Sequence, residues 1–332
     1  MAFAKAAWRA GPYEARSNGQ AMTLTELRYI VAVARERHFG RAAEACFVSQ
    51  PTLSVAVKKL EDELGVVLFE RGTGEATPTA IGERIVEQAQ RALEQAGAIK
   101  DIARQGKDPL QGPLRIGIIY TIAPYLLPGL VRLLHRRAPQ MQLHLQENYT
   151  HRLRELLKQG DIDAAILALP FEEPGFALQP VYDEPFVVAL PRDHAWARRK
   201  SLKTSELKKE TMVLLGEGHC FRDQVLRASP GLDRFAGGDG LQKTFEGSSL
   251  ETIRQMVASG VGITVLPATS VPARVPRDSL LAYVPFSAPV PDRRVVLVYR
   301  KSFTRKVAIE TLRKAIIDCD LPGAEKLELP VE

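Results

Sequence analysis

The chain has little of what marks secreted, membrane-spanning or metal-bound proteins. Its 332 residues hold no uninterrupted apolar run approaching the ~18–20 residues that a spanning helix needs, so no membrane partner is expected. Three cysteines, Cys46, Cys220 and Cys319, are too few and too scattered for a disulfide framework or a zinc cluster. This points to a cytoplasmic chain with reduced thiols, and neither a metal nor another cofactor is expected. Met1–Ala21 lacks a continuous apolar segment, which argues against a secretory leader. That stretch is expected to be a disordered extension, with folded sequence beginning near Met22. Charge of one sign is only mildly in excess, at +6. Residues 1–110 carry 15 Lys and Arg against 14 Asp and Glu, so bulk charge does not locate a polyanion site. What remains is ordinary for a soluble globular protein, 45% hydrophobic and 25% charged, with length for two or three domains.

Local patterning says more. Leu24, Leu27, Ile30, Val31 and Ala34 recur at helical spacing, with Thr23 or Thr25 available as a cap. After a break at Arg37–Gly40, the alanine-rich segment Arg41–Cys46 suits a short helix that crosses another closely. Phe47-Val48 makes a turn. Ser49 then caps a helix with Pro51 in its first turn, where a missing N–H is harmless. Leu53, Val57 and Leu60 face inward, which leaves Gln50, Thr52, Ser54 and Lys58 on the other face. Between Arg35 and Lys59 there are five basic residues against two acidic ones. Two short helices, the second starting with small polar residues, form a helix-turn-helix. Glutamine reads adenine bidentately, and a helix start attracts phosphate, so double-stranded DNA is the expected partner.

Phe39–Ser54, followed by Lys59–Arg71 and Thr77–Gly82, resembles the LysR-type winged helix-turn-helix. The resemblance implies that the Ser49–Lys59 helix enters a major groove and that Arg71 opens the wing. Arg41, Ser49, Gln50, Pro51, Thr52, Ser54, Lys58 and Arg71 are the implied DNA contacts. The family has a further basic residue in the wing, where this chain has Gly74 and Glu75. That departure argues against a minor-groove contact.

From Thr79 to about Gln105 the chain reads as one long helix. Ile85, Ala89, Ala92, Ala96, Ile99 and Ala103 fall at steps of four and three, which suits a dimerising seam. Two recognition helices on such a rod would read two half-sites. Gly106–Pro113 is a hinge by composition. Beyond it, strands are expected at 114–119, 141–146, 163–169, 186–190, 212–215 and 262–266. Helices are expected at 126–135, 151–158 and 250–258. This βαβ alternation predicts parallel sheets with helices on both faces. The expected organisation is a winged helix-turn-helix over 22–80, a linker over 81–110 and an α/β regulatory domain over 111–332. The last divides into two Rossmann-like subdomains, one near 111–183 with 289–332 and one near 184–288. By resemblance this domain is similar to periplasmic binding proteins.

Cys220 is expected to follow a strand at the start of a helix. A thiolate, not a thiol, attacks peroxide. The helix start, His219, and Arg222 or the Arg293–Arg294 pair each suit an anion there, and a hydroxyl such as Thr121 or Thr150 suits an incoming peroxide. Gly216–Val225, Ser248–Gly260, Thr121 with Pro124–Pro128, and Glu147–His151 resemble the peroxide-sensing members of the LysR family. The resemblance implies a hydrogen peroxide pocket of Thr121, Thr150, Gly218, His219 and Cys220, with Cys220 oxidised to a sulfenic acid. It also implies homodimers assembling into homotetramers, contact with RNA polymerase, and a regulator of oxidative-stress genes rather than an enzyme. Those relatives place a resolving cysteine nine residues after the first, and this chain has Ser229 there. A serine hydroxyl cannot form a disulfide, so the chain is expected to stay in its reduced-like conformation or to stop at the sulfenic acid or beyond. Two other readings compete: a LysR-type regulator of a small organic metabolite bound between the subdomains, and a thiol peroxidase or binding protein with no regulatory role. The intact helix-turn-helix and the missing second thiol argue against the peroxidase.

Overall fold

The computed structural model describes residues 22–71, 75–105, 109–230, 249–276 and 278–327. The expected extension, Met1–Ala21, lies outside the described residues. The chain divides into two compact units, one ending at Asp101 and the other beginning at Ile102.

The first unit opens with α1 (Leu24–Glu36), whose cap is Thr23 rather than Thr25. The Thr23 hydroxyl accepts from the Glu26 amide at 3.2 Å, and the Glu26 carboxylate accepts from the Thr23 amide at 2.8 Å, a reciprocal capping box. Helix α2 (Phe39–Ala45) begins two residues before Arg41 because His38 Nδ1 accepts from the Gly40 and Arg41 amides. Helix α3 (Gln50–Leu64) starts at Ser49 and ends at Gly65, whose φ of +68° suits glycine. Ile30, Val33, Leu53, Val57 and Leu60 are buried between the three helices, each contributing about 1.5–3 kcal/mol. The wing is a hairpin of β1 (Phe69–Arg71) and β2 (Ala76–Pro78), with Arg71 opposite Ala76.

Helix α4 (Ala80–Gln105) runs 26 residues, about 39 Å at the usual rise. The expected seam splits along it. Ile85, Ala89 and Ala92 join the core of their own unit, because the wing and α1–α3 need an apolar lid. Ile99 stays 69% exposed, and Ala103 falls outside the described side chains.

The second unit contains β3 (Gly112–Ile119), α5 (Ala123–Arg137), β4 (Met141–Asn148), α6 (Thr150–Gln159), β5 (Ala164–Ala168) and β6 (Phe176–Pro191). They are followed by α7 (Cys220–Ala228), α8 (Leu250–Ala258), β7 (Thr264–Pro267), β8 (Leu281–Pro285), β9 (Asp292–Arg300), α9 (Lys306–Ile317) and β10 (Glu325–Lys326). Strand β3 already begins inside the expected hinge, of which 106–108 lie outside the described residues. One sheet runs β10-β6-β9-β5-β3-β4, and the far half of β6 carries a second, β7-β6-β8. Among the named strands only β4–β3–β5 pair in parallel, so the prediction of parallel sheets is corrected: the first sheet is mixed and the second antiparallel. The reason is the crossover: β6 spans both sheets, and the returning chain lies antiparallel beside it as β9. Each sheet buries its own apolar cluster.

The strand expected at 212–215 reduces to isolated bridges, one at Met212, paired with Ile263, and one at Leu215. There the Val213 carbonyl is taken by the Thr264 hydroxyl at 2.7 Å rather than by a ladder amide. Among the described residues no helix is long and apolar enough to cross a membrane.

Candidate functional site

Two helix starts carry the residues singled out from the sequence. At α3, the Ser49 hydroxyl accepts from the Thr52 amide at 3.3 Å. Gln50, Pro51, Thr52 and Lys58 are exposed there, and Ser54 is half-buried. Lys58 pairs with Asp62 at 3.0 Å. Arg41 is exposed and donates to the Glu36 carbonyl at 2.7 Å. In the wing, Glu75 faces Arg37 at 3.5 Å, while Gly74 lies outside the described residues. Two apolar side chains also point outward: Phe47, 95% exposed in the turn, and Val55, 68% exposed on α3.

The second site lies at the carboxyl ends of the parallel strands β3 and β4, facing the start of α7. Such strand ends are where α/β folds place small ligands. Ile119, Tyr120, Thr121, Asn148, Tyr149, Thr150, Gly218, His219 and Cys220 line a pocket of about 180 Å³ that is partly open to solvent. Its inner part has room for about one water-sized molecule. The Thr121 hydroxyl accepts from Arg293 Nη1 at 2.7 Å, and the Thr121 carbonyl accepts from Nη2 at 3.0 Å. Arginine only donates, so the Thr121 hydroxyl keeps its own proton for another acceptor. Thr150 Oγ1 and His219 Nε2 are buried with no hydrogen-bond partner. A buried polar atom left unpaired costs about 1–3 kcal/mol, so both atoms favour a small polar guest. The pocket therefore gathers all five expected residues, Thr121, Thr150, Gly218, His219 and Cys220.

The electrostatics differ from expectation. Burial lowers the His219 pKa, which favours a neutral imidazole over a cation. Arg222 donates to the Leu215 carbonyl at 3.0 Å. Arg293 is fully buried against Glu184 at 2.5 Å, and Arg294 grips Asp183 with two bonds of 2.7 Å. The guanidiniums expected to favour an anion at Cys220 are thus committed to carboxylates or a carbonyl. What remains is the amino end of α7, where no side chain caps the helix and a negative charge is favoured.

Ser229 is the C-cap of α7, buried, with its hydroxyl donating to the Thr204 carbonyl at 3.3 Å. Nine helical steps place its Cα about 13 Å from that of Cys220, beyond the ~7 Å that a disulfide spans. The other thiols are structural in setting. Burial raises the Cys46 pKa at the end of α2. Cys319 is buried, donates to the Ala315 carbonyl at 3.2 Å and is pushed up to about 11.

Sequence reasoning missed Tyr120 and Tyr149, which immediately precede the two threonines it chose. Adjacency to Thr121 and Thr150 was the available signal. It also missed Glu184, which sits 109 residues from Arg293 in sequence and carries no local mark.

Residues 24–83 match the model of the bacterial regulatory helix-turn-helix protein, lysR family, and residues 107–318 match that of the LysR substrate binding domain. A hydrogen peroxide-inducible genes activator of Pectobacterium carotovorum is 43% identical over 89% of this chain and 96% of its own length. The DNA-binding transcriptional dual regulator OxyR of Escherichia coli K12 is 42% identical over 89% of this chain and 95% of its own. A full-length OxyR variant from Pseudomonas aeruginosa superimposes with a TM-score of 0.73 at 52% identity, covering 91% of this chain and 99% of that one. These matches run through both the helix-turn-helix and the unit that holds the pocket, and the chain belongs to the lysR family of bacterial regulatory helix-turn-helix proteins.

Proposed function

We propose that this chain is a cytoplasmic, hydrogen peroxide-responsive transcription regulator that signals through Cys220. The observation that carries the reading is the pocket itself. A cysteine at an uncapped helix start shares a water-sized space with two buried polar atoms that have no partner. The Cys220 thiolate attacks one peroxide oxygen, the S–O bond forming as the O–O bond breaks. Sulfur loses two electrons, and the departing hydroxide takes a proton to become water. Thr121 and Thr150 hold the peroxide, with Gly218 and His219 forming the adjoining wall. At about 180 Å³ the pocket lies below the ~300–1,000 Å³ usual for organic ligands, which favours peroxide over the competing metabolite.

Ser229 closes the usual route to a disulfide. Oxidation of Cys220 therefore ends as a sulfenic acid or a higher oxide, and the signal is repacking of the α7 start. On the DNA side, Ser49, Gln50, Pro51, Thr52, Ser54 and Lys58 enter the major groove, with Arg41 and Arg71 beside them. Paired chains, in dimers and in tetramers built from them, read two half-sites and present promoter DNA to RNA polymerase. The domain divisions expected from sequence, at about residues 80, 110, 183 and 289, serve this arrangement.

The test compares promoter footprints, with and without peroxide, for the natural chain, Cys220→Ser and Ser229→Cys. The natural chain is expected to shift its footprint and Cys220→Ser to lose the shift entirely. Mass spectrometry of the natural chain is expected to show added oxygen on Cys220 and no disulfide. A peroxide shift that persists in Cys220→Ser would overturn the assignment.

A further inference from the structure

The pocket wall is built from three rings that touch one another. Tyr120 and Tyr149 lie 5.2 Å apart between ring centroids, Tyr149 and His219 4.8 Å, and Tyr120 and His219 5.9 Å. The two contacts of Tyr149 are edge-on and the third is tilted; aromatic pairs of this kind are each worth about 0.5–1.5 kcal/mol beyond simple burial, so the ring positions reinforce one another. Tyr149 is fixed from two further sides. His151 stacks on it at 5.7 Å with the planes only 12° apart. Gly218, at a φ of +90°, lies against the ring: a Cβ added there would sit 3.5 Å from Tyr149 Cδ1 and Cε1. The glycine thus allows the turn before His219 and lets the ring close over the segment leading to Cys220. Both tyrosines are half-buried and line the pocket.

A wall of mutually packed rings beside a narrow pocket of about 180 Å³ that is partly open to solvent sorts oxidants by size. Hydrogen peroxide, two oxygens with no further substituent, is the smallest of them. An alkyl hydroperoxide presents the same O–O bond but carries a carbon substituent on the oxygen that leaves, which has to pass between the rings to bring the terminal oxygen to the sulfur. Close packing makes such a clash expensive, and clashes against the wrong ligand are a direct route to specificity.

We propose that Tyr149, with Tyr120, is the specificity-determining gate of the Cys220 pocket, admitting hydrogen peroxide and excluding organic hydroperoxides. This rests on the peroxide reading above and adds the class of oxidant and the residues that select it. With either oxidant the sulfur takes the terminal oxygen. The other product is water from hydrogen peroxide and an alcohol from the alkyl hydroperoxide, so the two differ in bulk rather than in bonding.

The experiment measures the rate of Cys220 oxidation in the full-length chain by hydrogen peroxide and by tert-butyl hydroperoxide. The natural chain is expected to favour hydrogen peroxide by at least about 100-fold. Tyr149→Ala is expected to lower that ratio at least about tenfold by admitting the larger oxidant, while Tyr149→Phe, which keeps the ring, retains the ratio. Tyr120→Ala, from the other wall, is expected to lower the ratio independently and covers a folding failure of the first variant. Equal rates with both oxidants in the natural chain would overturn the gate alone. So would a ratio unmoved in both alanine variants. A natural chain oxidised by neither reagent overturns the peroxide reading, and the gate with it.

Discussion

Helices α3 and α7 both begin with residues chosen from the sequence, yet the two starts are built in opposite ways. At α3 a serine hydroxyl occupies the cap, and the first turn faces solvent. That leaves exposed polar side chains for a large anionic partner arriving from outside. At α7 the cap position holds His219, whose side chain makes no cap bond, and the first helical residue is Cys220. The positive end of that helix is left to a group on its own chain. Helix α7 also rests on a buried ion pair. The Arg293 guanidinium lies 4.9 Å from the Phe221 ring centre and pairs with Glu184, which also accepts from the Thr269 hydroxyl. A helix start is therefore not a function in itself; what surrounds its first turn decides whether it meets a partner in trans or a sulfur in cis.

The largest blow to this contrast falls on the support of α7. Arg293→Met leaves the Glu184 carboxylate buried without its cation and is expected to cost about 3–5 kcal/mol, read by denaturant unfolding of the second unit. On the α3 side, Gln50→Ala is expected to weaken binding to selected promoter DNA by about 1–3 kcal/mol, with thermal stability unchanged. A loss that is equal for unrelated DNA would assign Gln50 to the backbone instead.

Capping sharpens the comparison at smaller scale. Ser49→Ala is expected to cost about 1 kcal/mol of stability in the first unit, whereas truncation of His219 removes no cap bond. The smallest effect is a pH slope. Burial lowers the His219 pKa below its ordinary 6.5, so below that pH the unfolded chain binds a proton that the folded chain refuses. Stability is then lost as pH falls from 6.5 toward the folded value, and it is whole above 6.5. Melting curves of His219→Gln are expected to lack this part of the acid slope. An unchanged slope would mean that His219 is not the group responsible.

Much of this was legible along the chain because the signals are local. The Ser49 cap, Pro51 in the first turn and the 250–258 helix are where spacing and cap residues placed them. Cys220 at the start of α7 was readable for the same reason. Other features were hidden because they join distant segments. The strand expected at 212–215 looked apolar enough, but its carbonyl found the Thr264 hydroxyl across the fold. Arg222, Arg293 and Arg294 looked like free charges until their carbonyl and carboxylate partners came into view.

By itself the sequence determined the starts of α1, α3, α7 and α8, the presence of a thiol at one of them and the absence of a second thiol at Ser229, because caps, periodicity and residue identity act within a few positions. The size of the pocket, the ring wall over Gly218 and the burial of Thr150 and His219 without partners were decided only when β3, β4 and α7 came together. Packing and desolvation depend on which surfaces meet, and that information is not contained in any one stretch of chain.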